Sequence, residues 1–263
     1  AFAGGGAAKF SGPIAILDPN HTGTNSLFVL EPGAGFRLLW NSNAVFQSAD
    51  EPLPAIDGAN YTRMLVGDLQ NDRYEDVVVL SDKGTHIFKF ATNGLAMDVG
   101  PFSRLQSAAA IDGALADLDF TGKLDLLTVS AQTNDVRLYR QFGPMLFTDI
   151  TSTSGIPRNL SNVLSLTMDD WPKDEMMDVI AARKGASPLL LAKPRGGALV
   201  ATNVPNWPAG NVIATGDLNN DLRTDLVVYD AGKLQIFFHG TGEQKVFAVD
   251  DQDVRALAVN DYD

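Results

Sequence analysis

Oxygen-bearing side chains alternate along the stretch 216–229, GDLNNDLRTDLVVY, where Asp217, Asn219, Asp221 and Asp225 hold positions 1, 3, 5 and 9 of a short loop. Donors on alternate residues of a tight loop can turn to one centre, and a hard cation such as calcium takes roughly six to eight oxygens. Arg223, at position 7, would add its backbone carbonyl. An EF-hand loop opens the same way but closes with a bidentate Glu at position 12 between two helices. Here position 12 is Val228, inside an apolar run. The closing ligand is therefore Asp225, and the loop joins two strands.

The pattern recurs along the chain. Asp117, Asp119, Thr121 and Asp125 repeat it, with Gly122 at position 6 and the Lys123 carbonyl at position 7. Asp68, Gln70, Asp72 and Asp76 repeat it with Tyr74 at position 7, and Asp170, Asp174 and Asp178 with Met176 there. In that last copy Pro172 occupies position 3 and offers no side-chain oxygen. A weaker copy has Asp18, Asn20, Thr22 and Ser26, and a cut one has Asp261 and Asp263. The first positions, 18, 68, 117, 170, 217 and 261, are 50, 49, 53, 47 and 44 residues apart. A fixed period of this size marks a repeat architecture.

Each loop must be held by strands. An apolar run follows each of the first five loops, at 27–30, 77–80, 126–129, 179–182 and 226–229. A segment of small and apolar residues precedes each, at 14–17, 62–66, 108–116, 163–168 and 212–214. Third strands are expected at 36–40, 85–90, 136–141, 188–192 and 234–238, and a fourth near 44–47. No window of helix length carries helical periodicity. Four short strands per repeat, joined by turn residues, predict an all-β chain: a β-propeller of four-stranded blades. Residues 1–10 read as a flexible lead-in. Repeats are expected over 11–58, 59–106, 107–160, 161–208 and 209–252, with the first strand of a sixth at 256–259, within 253–263. Five complete blades of about 49 residues fit part of a ring of about seven. The first residue, Ala1, and the cut last loop suggest a processed or excised segment.

Composition narrows the function. The formal charge is −12, from 32 acidic and 20 basic residues. Twelve carboxylates lie in the four strongest loops, so four calcium ions would offset most of that charge. Nucleic acid and anionic lipid are poor partners for such a chain, because both need clustered Lys and Arg. No apolar run is long enough to span a membrane as a helix. With no cysteine, disulfides, thiolate metal sites and cysteine nucleophiles are excluded. Multi-copy, weak calcium loops suit compartments where calcium is abundant, so an extracellular, cell-surface or periplasmic location is expected.

The D-x-[DN]-x-[DN]-x-x-x-D loop before an apolar strand, at a period near fifty, resembles the FG-GAP or VCBS repeat of integrin-α-like β-propellers. Residues 146–157, LFTDITSTSGIP, resemble the segment between repeats in the ASPIC/UnbV, cartilage-acidic-protein-like branch. The resemblance implies a calcium-stabilised, usually exported propeller that acts as an adhesion or protein-interaction surface. It carries calcium positions over fully at Asp217, Asn219, Asp221 and Asp225, and well at Asp117, Asp119, Thr121 and Asp125. Gln70, Pro172, Thr22 and Ser26 depart from it.

Other chemistry has little support. Nearly every clustered Asp belongs to a loop, no G-x-S-x-G elbow exists, and His21, His86 and His239 are far apart without metal-ligand spacing. No enzyme is expected. Trp171 and Trp207, each before a proline, are expected to be partly exposed, leaving a glycan partner as a rival to a protein one. A propeller scaffold for an extracellular hydrolase or lyase is a further rival, without a motif. The sequons at Asn20, Asn60 and Asn159 matter only in a host that glycosylates.

Overall fold

The computed structural model describes residues 10–48, 51–91, 96–171, 173–250, 254 and 256–259. Most of the expected lead-in, Pro172, and Asp261 and Asp263 fall outside them. The described residues form five four-stranded antiparallel sheets, each with its strands in chain order. Blade one comprises β1 (Ala15–Leu17), β2 (Ser26–Glu31), β3 (Gly35–Ser42) and β4 (Val45–Ser48). Blade two comprises β5 (Tyr61–Gly67), β6 (Asp76–Ser81), β7 (Gly84–Phe90) and β8 (Ala96–Asp98). Blade three has β9 (Ala110–Ala116), β10 (Asp125–Ser130), β11 (Val136–Gly143) and β12 (Leu146–Asp149). Blade four has β13 (Val163–Asp169), β14 (Asp178–Arg183), β15 (Ala186–Ala192) and β16 (Val200–Asn203). Blade five has β17 (Val212–Gly216), β18 (Asp225–Asp230), β19 (Lys233–Phe237) and β20 (Gln244–Ala248).

The second strands explain why the apolar runs do not alternate. β6 and β10 are buried at every position, because a neighbouring blade covers each face. Successive side chains point to opposite faces, so Val77 and Val79 pack toward blade one and Val78 and Leu80 toward blade three. One apolar cluster fills each of the four junctions between consecutive blades. The junction of blades one and two is aromatic, with the Phe88 ring 5.1 Å from Phe28 and 5.0 Å from Phe36. Such ring pairs add about 0.5–1.5 kcal/mol beyond the area they bury.

The first strands stand side by side, β1 beside β5, then β9, β13 and β17. They line an axial cavity of about 520 Å³ with polar groups that include Thr62, Arg63, Asp112, Ser165, Thr167 and Thr215. Within it Arg63 Nη1 lies 2.5 Å from Asp112 Oδ1, and the Leu166 amide donates to Asp112 Oδ2 at 2.7 Å. One buried carboxylate thus ties three blades. Burial pushes its proton affinity up, and Arg63 opposes that shift.

The four-stranded blades agree with the sequence reading, but the fourth strands β8, β12, β16 and β20 have no position assigned to them by the sequence. β12 covers the start of the segment 146–157, and β16 and β20 are exposed throughout, which removes any apolar alternation. Residues 256–259 lie against blade five: a Cβ on Gly216 would come within 2.4 Å of Val259. Among the described residues that segment joins no sheet, in contrast to the expected first strand.

Candidate metal centre

All five described Asp loops join the first strand of a blade to its second and share one backbone form. Positions 4 and 6 are left-handed in each: His21 and Gly23, Asn71 and Arg73, Phe120 and Gly122, Lys173 and Glu175, Asn220 and Leu222. The left-handed form costs a residue with a Cβ about 1–2 kcal/mol, so something in each loop must offset it. That partner is the carboxylate at position 1. Asp18, Asp68, Asp117, Asp170 and Asp217 each accept the amides of positions 5 and 6, at 2.5–3.2 Å.

Positions 3 and 5 pair with each other. Thr22 donates to Asn20, Gln70 to Asp72, Thr121 to Asp119, and Asn219 to Asp221, at 2.8–3.1 Å. Adjacent loops are also bonded. The Asp18 amide donates to Glu75 at 2.7 Å, Asn71 to the Gly122 carbonyl at 2.5 Å, and Lys173 to the Leu222 carbonyl. Loops one to three and loops four and five are thereby stitched together along one end of the blades.

Position 9 opens the second strand and is buried in every loop: Asp76, Asp125, Asp178 and Asp225 are at most 2% exposed, and Ser26 is 1% exposed. Four of these five side chains accept an amide near the end of the third strand. Gln141 donates to Asp125 at 2.9 Å, Lys193 to Asp178 at 2.6 Å, His239 to Asp225 at 3.0 Å, and Asn41 to Ser26 at 3.4 Å. The Phe90 amide faces Asp76 from the matching place and favours its ionised form. The Leu69 and Leu218 amides at position 2 also donate to Asp76 and Asp225, at 3.1 and 3.0 Å. Burial, reinforced by the loop carboxylates, pushes Asp76 up to about 7 and Asp125 and Asp178 up to about 6. Asp225 is raised for the same reason.

These sites can be tested for their fit to calcium. Asp76 Oδ1, Asp125 Oδ2 and Asp178 Oδ2 are buried and have no hydrogen-bond partner among the described residues. A buried carboxylate oxygen without a partner is costly unless a cation meets it. At Asp225 both oxygens are bonded, and loop five's fit rests on its full oxygen set at Asp217, Asn219 and Asp221. Among the described residues no three His, Asp or Glu side chains are gathered closely enough to hold a metal as they stand. Oxygen-rich loops closed by buried carboxylates fit a hard cation, which would supply neutralising charge.

The tryptophans contradict the expected exposure. Trp171 and Trp207 are each 3% exposed and pack edge to face at 5.1 Å. His239 stacks on Trp171 at 4.0 Å, so the junction of blades four and five absorbs both indoles. Neither offers a platform for a sugar ring. His86 is half-buried and bonded through Nδ1 to Asp98 Oδ2 at 2.7 Å, while His21 is exposed in loop one. The structure does not bring the three histidines together.

No protein-family model and no curated protein matches the chain. Among solved structures, BBS1N in complex with ARL6DN, soaked with lead, is similar with a TM-score of 0.57 and 13% identity, over 95% of this chain and 71% of that one. The V. cholerae biofilm matrix protein Bap1 aligns with a TM-score of 0.44 and 17% identity, over 86% of this chain and 37% of that one. The first likeness, with the five sheets, establishes the architecture and nothing finer. This chain is an all-β array of four-stranded propeller blades.

Proposed function

We propose that this chain is an exported, calcium-stabilised β-propeller of the FG-GAP or VCBS kind, serving as a protein-interaction or scaffold module without catalysis. The observation that carries the reading is the buried carboxylate closing four of the five described loops, three of them with a partnerless oxygen. Calcium would be held by positions 1, 3, 5 and 9 and the position 7 carbonyl, most fully at Asp217, Asn219, Asp221, Arg223 and Asp225. Its contribution is to neutralise carboxylates crowded into one turn and to fix two strands. BBS1N, the similar propeller, is seen in complex with a protein, which supports a protein partner here. No helix of the described residues is long and apolar enough to cross a membrane.

The test is thermal unfolding in calcium and in chelator, with ions counted by calorimetry. The wild-type chain is expected to bind calcium and to melt higher in it. Replacing Asp217 and Asp221 together by Ala should remove one bound ion and part of that rise. An unchanged ion count in the double variant would show that loop five is not a calcium site.

A further inference from the structure

The residue facing the closing position across the second and third strands differs between blades in a way that sorts the loops. One step beyond Val77 opposite Phe88 sets Lys89 opposite Asp76, and one step beyond Leu126 opposite Tyr139 sets Arg140 opposite Asp125. The same step sets Ala192 opposite Asp178, Phe238 opposite Asp225 and Trp40 opposite Ser26. Only blades two and three carry a cation at this register position.

In both blades the cation reaches the loop. Lys89 Nζ donates to Gln70 Oε1 at 2.9 Å and lies 3.8 Å from Asp72 Oδ2. Arg140 Nη2 lies 3.1 Å from Asp119 Oδ2, a carboxylate only 17% exposed. Gln70, Asp72 and Asp119 hold positions 3 and 5 of loop two and position 3 of loop three. Among the described residues no Lys or Arg forms an ion pair with Asp170, Asp174, Asp217 or Asp221.

We propose that Lys89 and Arg140 are built-in counter-cations that neutralise loops two and three from within the blade, so that among the four loops closed by Asp calcium is directed to those of blades four and five. The inference rests on the calcium reading of the loops. A monovalent side chain already on a ligand oxygen repels an incoming divalent ion and must be displaced for that oxygen to bind it. At these partly screened distances the effect is about tenfold or more in affinity. Loop three, which ranks second by ligand set, is therefore demoted by Arg140. Loop four keeps its partnerless Asp178 oxygen, and its own Lys173 turns to the Leu222 carbonyl and not to a loop-four carboxylate, although the loop lacks a ligand side chain at position 3.

The test is calcium calorimetry and thermal unfolding of wild-type, Arg140→Gln and Lys89→Met chains, with the Asp217/Asp221 double Ala variant in parallel. Each charge-removing variant is expected to bind one more ion than the wild type, or to bind calcium at its loop about tenfold tighter. Each should melt lower in chelator and recover in calcium. A wild-type chain that binds calcium, with unchanged ion number, affinity and rescue in both charge variants, would overturn this inference and leave the calcium reading standing. No uptake by any of the chains would overturn both. A loss of melting temperature equal in calcium and chelator would show that Lys89 and Arg140 only hold the fold, and would overturn the inference too.

Discussion

Loops two and three and loops four and five have the same backbone, the same position 1 cap and the same buried closing carboxylate, yet they balance charge differently. In loop three Asp119 meets Arg140 at 3.1 Å, whereas in loop five Asn219 and Asp221 meet each other, and Asp221 forms no ion pair with an arginine or lysine among the described residues. Loop geometry and loop electrostatics are thus separable. The geometry follows from hydrogen bonds that every copy makes, and the charge balance follows from one residue on the third strand.

Predictions that break or sharpen this contrast begin with Asp225→Ala. It strips the acceptor from the Leu218 and His239 amides, and leaving two such groups unmet costs about 2–4 kcal/mol. Chemical denaturation should show that loss in chelator as well as in calcium. Asp225→Ser should recover much of it in chelator, because Ser26 performs the same task in blade one. It should recover none of the calcium response.

Next in size is Arg63→Met, which leaves Asp112 unpaired on the propeller axis. Because the Arg63 side chain is 41% exposed, the expected loss is discounted to about 1–3 kcal/mol. It should be the same with and without calcium, which separates the axial tie from the loops.

The pH response gives a sharper contrast. Asp76, Asp125 and Asp178 are raised to about 7, 6 and 6 in the metal-free fold, from an ordinary value of 3.8. The folded chain then binds more protons than the unfolded one, so their ionisation costs stability as pH rises through 6 to 7. In chelator, the melting temperature should increase as pH falls from 7 toward 5. In calcium the trend should flatten or reverse, because the ion needs the ionised carboxylates. A rise on acidification that is the same with and without calcium would mean that the ion does not engage these groups.

The smallest expected effect is at Leu222, 74% exposed and left-handed at φ 66°. Loop three has Gly122 in that place. Leu222→Gly should stabilise the chain by about 0.5–1 kcal/mol in chemical denaturation, because relief of the left-handed strain outweighs the added chain entropy.

Much of the architecture is legible in the sequence because the loops repeat and each precedes a strand buried on both faces. The outer strands are not, since residues 200–203 and 244–248 face solvent on both sides and carry no alternation. The burial of Trp171 depends on Trp207 and on His239 of the next blade, partners that no local pattern announces. The counter-cations are hidden for a different reason. Hairpins of unequal length place the facing residue 13 positions after Asp76 but 15 after Asp125, so Lys89 and Arg140 align only once the ladders are known.

The most direct test of the calcium account is a crystal structure grown in calcium, with anomalous scattering collected to locate the ion. The account predicts a calcium peak enclosed by Asp217, Asn219, Asp221 and Asp225, and none in loop three beside Arg140. Crystals holding calcium at none of the five loops would contradict it.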